Sequence, residues 1–453
     1  MHSKRILVLP VALIMLLVFS GMALAQDADP MPGSETEKSE NISGPFDLER
    51  CVQRALEFNP RMKAIRAELT GSEFGTRSSF GNFLPSVSGS YGYTYSGRKS
   101  QYSDDHNDWA ATVNVSQPVF QGFNLLATWQ RAKLAEESTE ASLLNVELSL
   151  ISSVQSSFLS LLKAREDVKS AEDSVARLES QLKVITAFYD VGLRPKAEVL
   201  DAEVDLANAQ QDLLTARNNV SIQETQLNTL LNIPMEMNVN YVGELKKIDF
   251  DLTLQECLRR AYDGRPDLVI GQKSVEIAEK DSTIAASSFY PKVDADVDYV
   301  NRGVDAGLDR GGYSHSSSEY WTAGVNASMT LFEWGADYYD YKKTEETVKK
   351  VEAELEDTRL NAGFEVKTSL LDIQEAADRI TVARKSVAAA EEAYRMAVAR
   401  YQAQVGTNTD VLNAQSRLTT SEAQLSQALA DYGTAVSGLY VAMGEKNLGL
   451  IAD

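Results

Sequence analysis

The chain has 453 residues, with 44 Lys and Arg against 65 Asp and Glu, and a formal charge of −21. So acidic a chain is a poor partner for nucleic acid or an anionic lipid surface, and suits a solvated acidic face or a channel wall that favours cations. Hydrophobic residues make up 43%, but much of this is Ala and Val on narrow helical seams, which argues against one large globular core.

Residues 1–25 read as a secretory signal peptide. Lys4-Arg5 begins it, the apolar run 6–19 follows, and Ala23-Leu24-Ala25 is a small-x-small cleavage site. Removing Lys4 and Arg5 takes the charge from −21 to −23. Gln26 rather than Cys follows the site, so no lipid attachment is expected there. Residues 26–45 are polar, acidic and rich in Pro, Gly and Ser, a flexible leader. A further run of about 18 apolar residues, the length of a helical membrane span, is not found.

A short helix over 48–58 and a helix over 60–80 come next, and then the period changes. Val87, Gly89, Tyr91, Tyr93 and Tyr95 alternate with Ser86, Ser88, Ser90, Gly92 and Thr94. Trp109, Ala111, Val113 and Val115 alternate with Ala110, Thr112, Asn114 and Ser116. A period of two predicts strands, at about 85–96 and 109–120, each with one apolar and one small polar face. From 123 to 231 the chain predicts a long helical hairpin. Leu161, Ala164, Val168, Ala171, Val175, Leu178, Leu182, Ile185 and Tyr189 alternate in steps of three and four, the seam of a coiled coil. The hairpin turns near 190–196 and stops at Asn232-Ile233-Pro234, and a short strand is expected over 239–245.

The pattern then recurs. Shifting the seam by 212 residues lands on Ile373, Ala376, Ile380, Ala383, Val387, Ala390, Tyr394, Ala397 and Tyr401. The chain therefore reads as a tandem duplication, 46–240 and 241–443, with a tail over 444–453. Strands are expected at about 291–302 and 319–332, and the second hairpin at about 336–443. Asp294, Asp296 and Asp298 occupy the polar face of the third strand, where they would line a pore. Cys51 and Cys257 fall at equivalent places in the two repeats, as copies of one position rather than a bridge. Outside the signal peptide the histidines are His106 and His315, in Ser- and Asp-rich loops. With no nucleophile motif and no metal-ligand spacing, neither an enzyme nor a metal or cofactor site is expected.

Aromatic residues flank the strands: Trp109, Tyr320 and Trp321 toward the loops, and Phe83, Phe120, Phe289, Tyr290, Phe332 and Trp334 toward the helices. That is the layout of outer-membrane strands with aromatic girdles. Four strands cannot close a barrel, and lipid does not tolerate open sheet edges. Two copies would give eight strands, filled by their own side chains, whereas three give twelve and room for water. The expected architecture is mixed α and β: a 12-stranded transmembrane β-barrel shared by three protomers, continuous with a long periplasmic α-helical coiled-coil barrel.

Several motifs, in the same order in each half, resemble the TolC-like outer-membrane efflux proteins over essentially the whole mature chain. They are the duplicated Leu-x-x-x-Val/Leu-x-x-Ala-x-x-x-Asn/Arg-Pro pattern at Leu48, Val52, Ala55, Asn59 and Pro60 and again at Leu254, Leu258, Ala261, Arg265 and Pro266, then Phe83-Leu84-Pro85 and Phe289-Tyr290-Pro291, and Pro118-Val119-Phe120-Gln121-Gly122. The hairpin tips match too, at Tyr189-Asp190-Val191-Gly192-Leu193 and Thr407-Asn408-Thr409-Asp410-Val411. The resemblance implies a homotrimer in the outer membrane, most of its mass periplasmic. It would be the passive exit duct of a tripartite efflux or type I secretion system, joined through a periplasmic adaptor to an inner-membrane transporter. In that family the tips dock the adaptor, which implies Val191, Gly192 and Leu193 on the first tip. On the second, Ala403, Gln404 and Val405 stand at the matching positions, with the glycine moved to Gly406. The family's periplasmic gate maps to Tyr401, Asp410 and Asn413, where Asn413 replaces a second acid. A periplasmic structural coiled coil, or an adaptor, would share the heptads but leave four two-faced strands unexplained.

Overall fold

The structure is a computed structural model and describes residues 44–97, 106–248, 250–308 and 318–450. The expected signal peptide, nearly all of the leader, His315 and parts of both strand-linking loops lie outside the described residues.

The chain divides into two units. In the smaller, the described residues meet at one parallel bridge between Phe46 and Tyr241, with the Phe46 N–H donating to the Asn240 carbonyl at 2.9 Å. The strand expected over 239–245 is reduced to this bridge, since pairing does not extend along it.

The larger unit holds the helices and the sheet. Helix α1 (Leu48–Phe58) is capped by the Asp47 carboxylate, which accepts the Arg50 N–H at 2.9 Å. Helix α2 (Pro60–Gly81) starts with proline at its first position, where no amide partner is missed. Strands β1 (Ser86–Tyr95) and β2 (Asn107–Gln121) follow, then α3 (Asn124–Asp190) and α4 (Lys196–Leu230). The order then recurs as α5 (Leu254–Gly264), α6 (Pro266–Ala286), β3 (Lys292–Gly303), β4 (Glu319–Ser328), α7 (Ala336–Gln402) and α8 (Asn408–Met443). Helices α3 and α7 have 67 residues each, about 100 Å at 1.5 Å per residue.

The four strands form one antiparallel sheet in the order β1-β2-β3-β4. Pro118, which has no N–H to give the ladder, marks a register shift between Pro118 and Phe120. Strand β4 ends at Ser328 rather than near 332. Its partner runs out there: Ser328 pairs with Lys292, and the preceding Pro291 has no amide to donate.

Each strand-to-helix passage turns through two left-handed residues, Gly122-Phe123 and Trp334-Gly335. At Gly122 a Cβ would lie 2.7 Å from the Ser287 carbonyl, so only glycine fits. The main core gathers residues of α5, α7 and α8, among them Cys257, Val366, Ile373, Tyr432 and Leu439. Cys51 and Cys257 are both fully buried free thiols. Burial, with Asp47 beside it, pushes the Cys51 thiol up to about 12.

Candidate functional site

Both hairpin turns are the same Schellman closure. At the first, the Gly192 N–H donates to the Tyr189 carbonyl at 2.8 Å and the Leu193 N–H to that of Phe188 at 2.9 Å. At the second, Gln404 donates to Tyr401 and Val405 to Arg400, each at 3.0 Å. The turn demands a left-handed residue, and Gly192 (φ 75°) and Gln404 (φ 61°) supply it. The glycine of the second tip has therefore not taken over the turning role. Gly406 lies outside the left-handed region, and a Cβ there would stand 3.2 Å from Arg400 Cβ and Tyr401 N, so it serves close approach to α7. Val191 and Val405 are 69% and 68% exposed, and Leu193, Ala403 and Gln404 are exposed beside them.

Of the three expected gate residues, two sit on the surface and one does not. Tyr401 is fully buried among Ile185, Ala202 and Val411, which brings all four long helices together at one side chain. Its hydroxyl donates to Glu198 Oε2 at 3.3 Å, and the Arg194 guanidinium lies 5.1 Å above its ring. Arg194 also pairs with Glu198 at 3.3 Å and donates to the Gly406 carbonyl at 3.3 Å, which ties the two tips. Burial, followed by the Glu198 charge, pushes the Tyr401 phenol up to about 12, so it stays a donor through neutral pH. Asp410 is exposed and forms a capping box with Thr407: the Thr407 N–H donates to its carboxylate at 3.0 Å, and its own N–H to the Thr407 hydroxyl at 3.2 Å. Hydrogen bonds from the Thr407 backbone and side chain hold its carboxyl below the usual carboxylate range. Asn413 is exposed one turn further along α8.

The sheet has two unlike faces. In the pairing register, Ser88, Asn114, Asp298 and Thr322 form one polar row and Ser116, Asp296 and Gly324 another. Asn114 donates to Asp298 at 2.8 Å and Gln121 to Asp294 at 2.6 Å, so neighbouring amides orient the expected pore-lining carboxylates. Val87, Val115, Val297 and Ala323 form a row of the opposite face, which exposes Tyr91, Val113, Trp321 and Val325. Among the described residues, no group of three His, Cys, Asp or Glu could hold a metal ion, and no helix is long and apolar enough to cross a membrane.

The family model for outer membrane efflux proteins matches residues 51–232 and 257–445. The chain belongs to the outer membrane efflux protein family.

Outer membrane protein TolC of Vibrio cholerae is 21% identical over 403 residues, 88% of this chain and 90% of that protein. The pyoverdine export outer membrane protein OpmQ of Pseudomonas aeruginosa is 22% identical over 415 residues, 88% and 85% of the two chains. Among solved structures, the outer-membrane channel OprN has a TM-score of 0.77 at 18% identity, covering 88% of this chain and 90% of its own. VceC from Vibrio cholerae has a TM-score of 0.75 at 18% identity, with 88% and 96% covered. These structures share the fold: mostly helical, with a small antiparallel sheet. The efflux protein is thus an outer-membrane exit duct for efflux or secretion, and not an enzyme.

Sequence reasoning missed a set of polar residues that this efflux protein places between its two hairpins. Gln181 donates to Asn408 at 3.0 Å in a buried pair, and Gln415 donates to Ser174 Oγ at 3.0 Å. A signal was present: Gln415 sits beside Ala414, and Gln181 beside Leu182, on seams otherwise filled by apolar residues.

Proposed function

We propose that three copies of this chain close a 12-stranded barrel in the outer membrane and pool their hairpins into a periplasmic helical tube. The two-faced sheet carries this reading: its apolar face is exposed, its polar face bears Asp294, Asp296 and Asp298, and β1 and β4 are its edges. Ten residues at ~3.3 Å, tilted as barrel strands are, cover about 25 Å, the height of the apolar band. Open edges in lipid would leave backbone amides without partners, so copies must supply them.

The repeats 46–240 and 241–443 arise on this reading by tandem duplication. A matched pair of caps supports it. Asn59 donates to the Leu230 carbonyl at 2.8 Å, and Arg265 to that of Ala442 at 3.1 Å. The signal peptide over 1–25 directs export and is cleaved after Ala25. The exposed tips, Val191-Gly192-Leu193 and Ala403-Gln404-Val405 with Gly406, dock a periplasmic adaptor, which joins the duct to an inner-membrane transporter. Relatives are named for toxin and drug export and for pyoverdine export, so the conduit is shared and selectivity rests with the transporter. The periplasmic end is gated near Tyr401, Asp410 and Asn413, with three Asp410 carboxylates gathered round the axis.

Crosslinking in native membranes tests the reading. Adducts are expected to stop at three chains; a stable monomer, or an eight-stranded dimer, would overturn it.

A further inference from the structure

Helices α6 and α7, with Tyr262 of α5 beside them, border a groove of about 380 Å³. That volume falls within the range of small-molecule sites. Leu268, Val269 and Gln272 line it from one face of α6. Glu352, Leu355, Glu356 and Arg359 line it from α7, where steps of three and four put them on one face. Gly271 lets the two helices close at its floor, since a Cβ there would lie 2.8 Å from Leu355 Cδ1.

The charges of this groove are left over from the fold. Arg265, which also borders it, is committed to Asp267 at 2.6 Å and Glu365 at 2.8 Å. Lys342, Lys349 and Lys350 of α7 each hold a carboxylate of the same helix. Among the described residues, Glu352, Glu356 and Arg359 enter no ion pair. Arg359 stands one turn from Glu356, within reach of it, yet its guanidinium lies over the Tyr262 ring at 5.2 Å.

The first repeat supplies an internal comparison. Pro60 and Pro266 open α2 and α6, 206 residues apart, and α3 and α7 match at a shift of 212. Those shifts carry Leu268, Val269 and Gln272 back to Met62, Lys63 and Arg66, and Glu356 and Arg359 back to Leu144 and Glu147. There the chain fills the place itself. Met62 is fully buried, Arg66 donates to the Leu56 carbonyl at 3.0 Å, and Glu147 pairs with Lys446 of the C-terminal tail. The second repeat keeps the groove and leaves its charges without partners.

We propose that this groove binds a short peptide with both ends free: its ammonium at Glu352 and Glu356, its carboxylate at Arg359, and its side chains on Leu268, Val269 and Leu355. Both signs of charge are needed, because a simple cation or anion would answer one and leave the other unpaired. The spacing sets the length. Glu352 and Arg359 lie seven residues apart, about 10 Å along the helix, and two or three extended residues span about 7–10 Å. The site lies within one chain and stands whether or not three copies close the duct. Its ligand chemistry is shared by free peptides and by the stem peptides of the cell wall; the second source rests on the periplasmic placement proposed above.

The test titrates tri-alanine into the full-length protein in detergent. Saturable binding is expected, with N-acetyl-tri-alanine and tri-alanine amide each weaker by about tenfold or more, as the loss of one charge-assisted contact requires. R359A is expected to weaken tri-alanine by a similar factor and to make it indifferent to the amide. E352Q/E356Q is expected to do the same for the acetyl cap. Glu352, Glu356 and Arg359 are exposed, so the unfolding temperature of these variants without peptide is expected to stay unchanged. L268M/V269K/Q272R copies the first repeat into the groove and is expected to abolish binding. No saturable binding of tri-alanine, or binding that survives both R359A and E352Q/E356Q, would overturn the proposal. So would a variant that unfolds, since the charges would then serve the fold. Cosedimentation with purified cell-wall sacculi, released by tri-alanine, would assign the wall as the source; peptide binding without it would assign free peptides.

Discussion

The first and second hairpin tips close with the same pair of backbone hydrogen bonds, yet they differ in which residue carries the strain and which ring is buried. Gly192 takes the left-handed conformation freely at the first tip, while Gln404 takes it at the second at a cost of about 1 kcal/mol. Tyr189 on the first tip is 40% exposed, whereas Tyr401, 212 residues on, is fully buried. The hydrogen-bond pattern sets the turn, and the side chains then accept whatever geometry it demands. The packed second tip tolerates a residue that the turn itself disfavours.

Removing the two tyrosines would break this comparison most sharply. Tyr401→Ala opens a cavity where the four long helices meet, and is expected to cost about 3–5 kcal/mol, as large aromatic truncations in cores do. Amide exchange should accelerate through both tips, because Tyr401 touches both hairpins. Tyr189→Ala should cost far less. Equal losses for the two would mean that the tips are not packed differently. Tyr401→Phe keeps the packing and gives up only the hydrogen bond to Glu198, an effect of about 1 kcal/mol.

Exchanging the turn residues sharpens the comparison at smaller scale. Gln404→Gly should stabilise the second tip by about 1 kcal/mol, and Gly192→Ala should destabilise the first by a similar amount. Thermal unfolding of the two variants should shift in opposite directions. Shifts of the same sign would show that the left-handed positions are not the difference between the tips.

The smallest effect is expected at Asp410. Its folded carboxyl is held below the ordinary carboxylate value by Thr407. The stabilisation is therefore complete above the unfolded value and is lost as pH falls through the lower, folded one. The start of α8 should fray only at pH values below the usual carboxylate range, and Asp410→Asn should remove that dependence; fraying that begins near neutral pH would rule out the capping box as its source. Bilayer recordings separate this cap from the proposed gate. A gate predicts that Asp410→Ala weakens divalent-cation block more than Glu198→Ala does, while a cap alone predicts altered stability and unchanged block.

The sequence by itself determined the elements and their order. Steps of three and four over 161–189 and 373–401, and alternation over 86–95 and 109–115, are local periodicities that depend only on how a helix or strand turns its side chains. The two-faced strands and the matching bounds of α3 and α7 were legible for that reason. Only the tertiary structure decided which of two equivalent tyrosines is buried, that Gln404 rather than Gly406 turns the second tip, that β4 stops at Ser328, and that Gln181 meets Asn408. The turn at Gln404 is settled by backbone bonds to Tyr401 and Arg400, and the other three depend on a partner from another part of the chain, 227 residues away for Gln181. Such a contact leaves no period in the sequence, because it is set by how finished elements pack and by which backbone groups remain unpaired when they do.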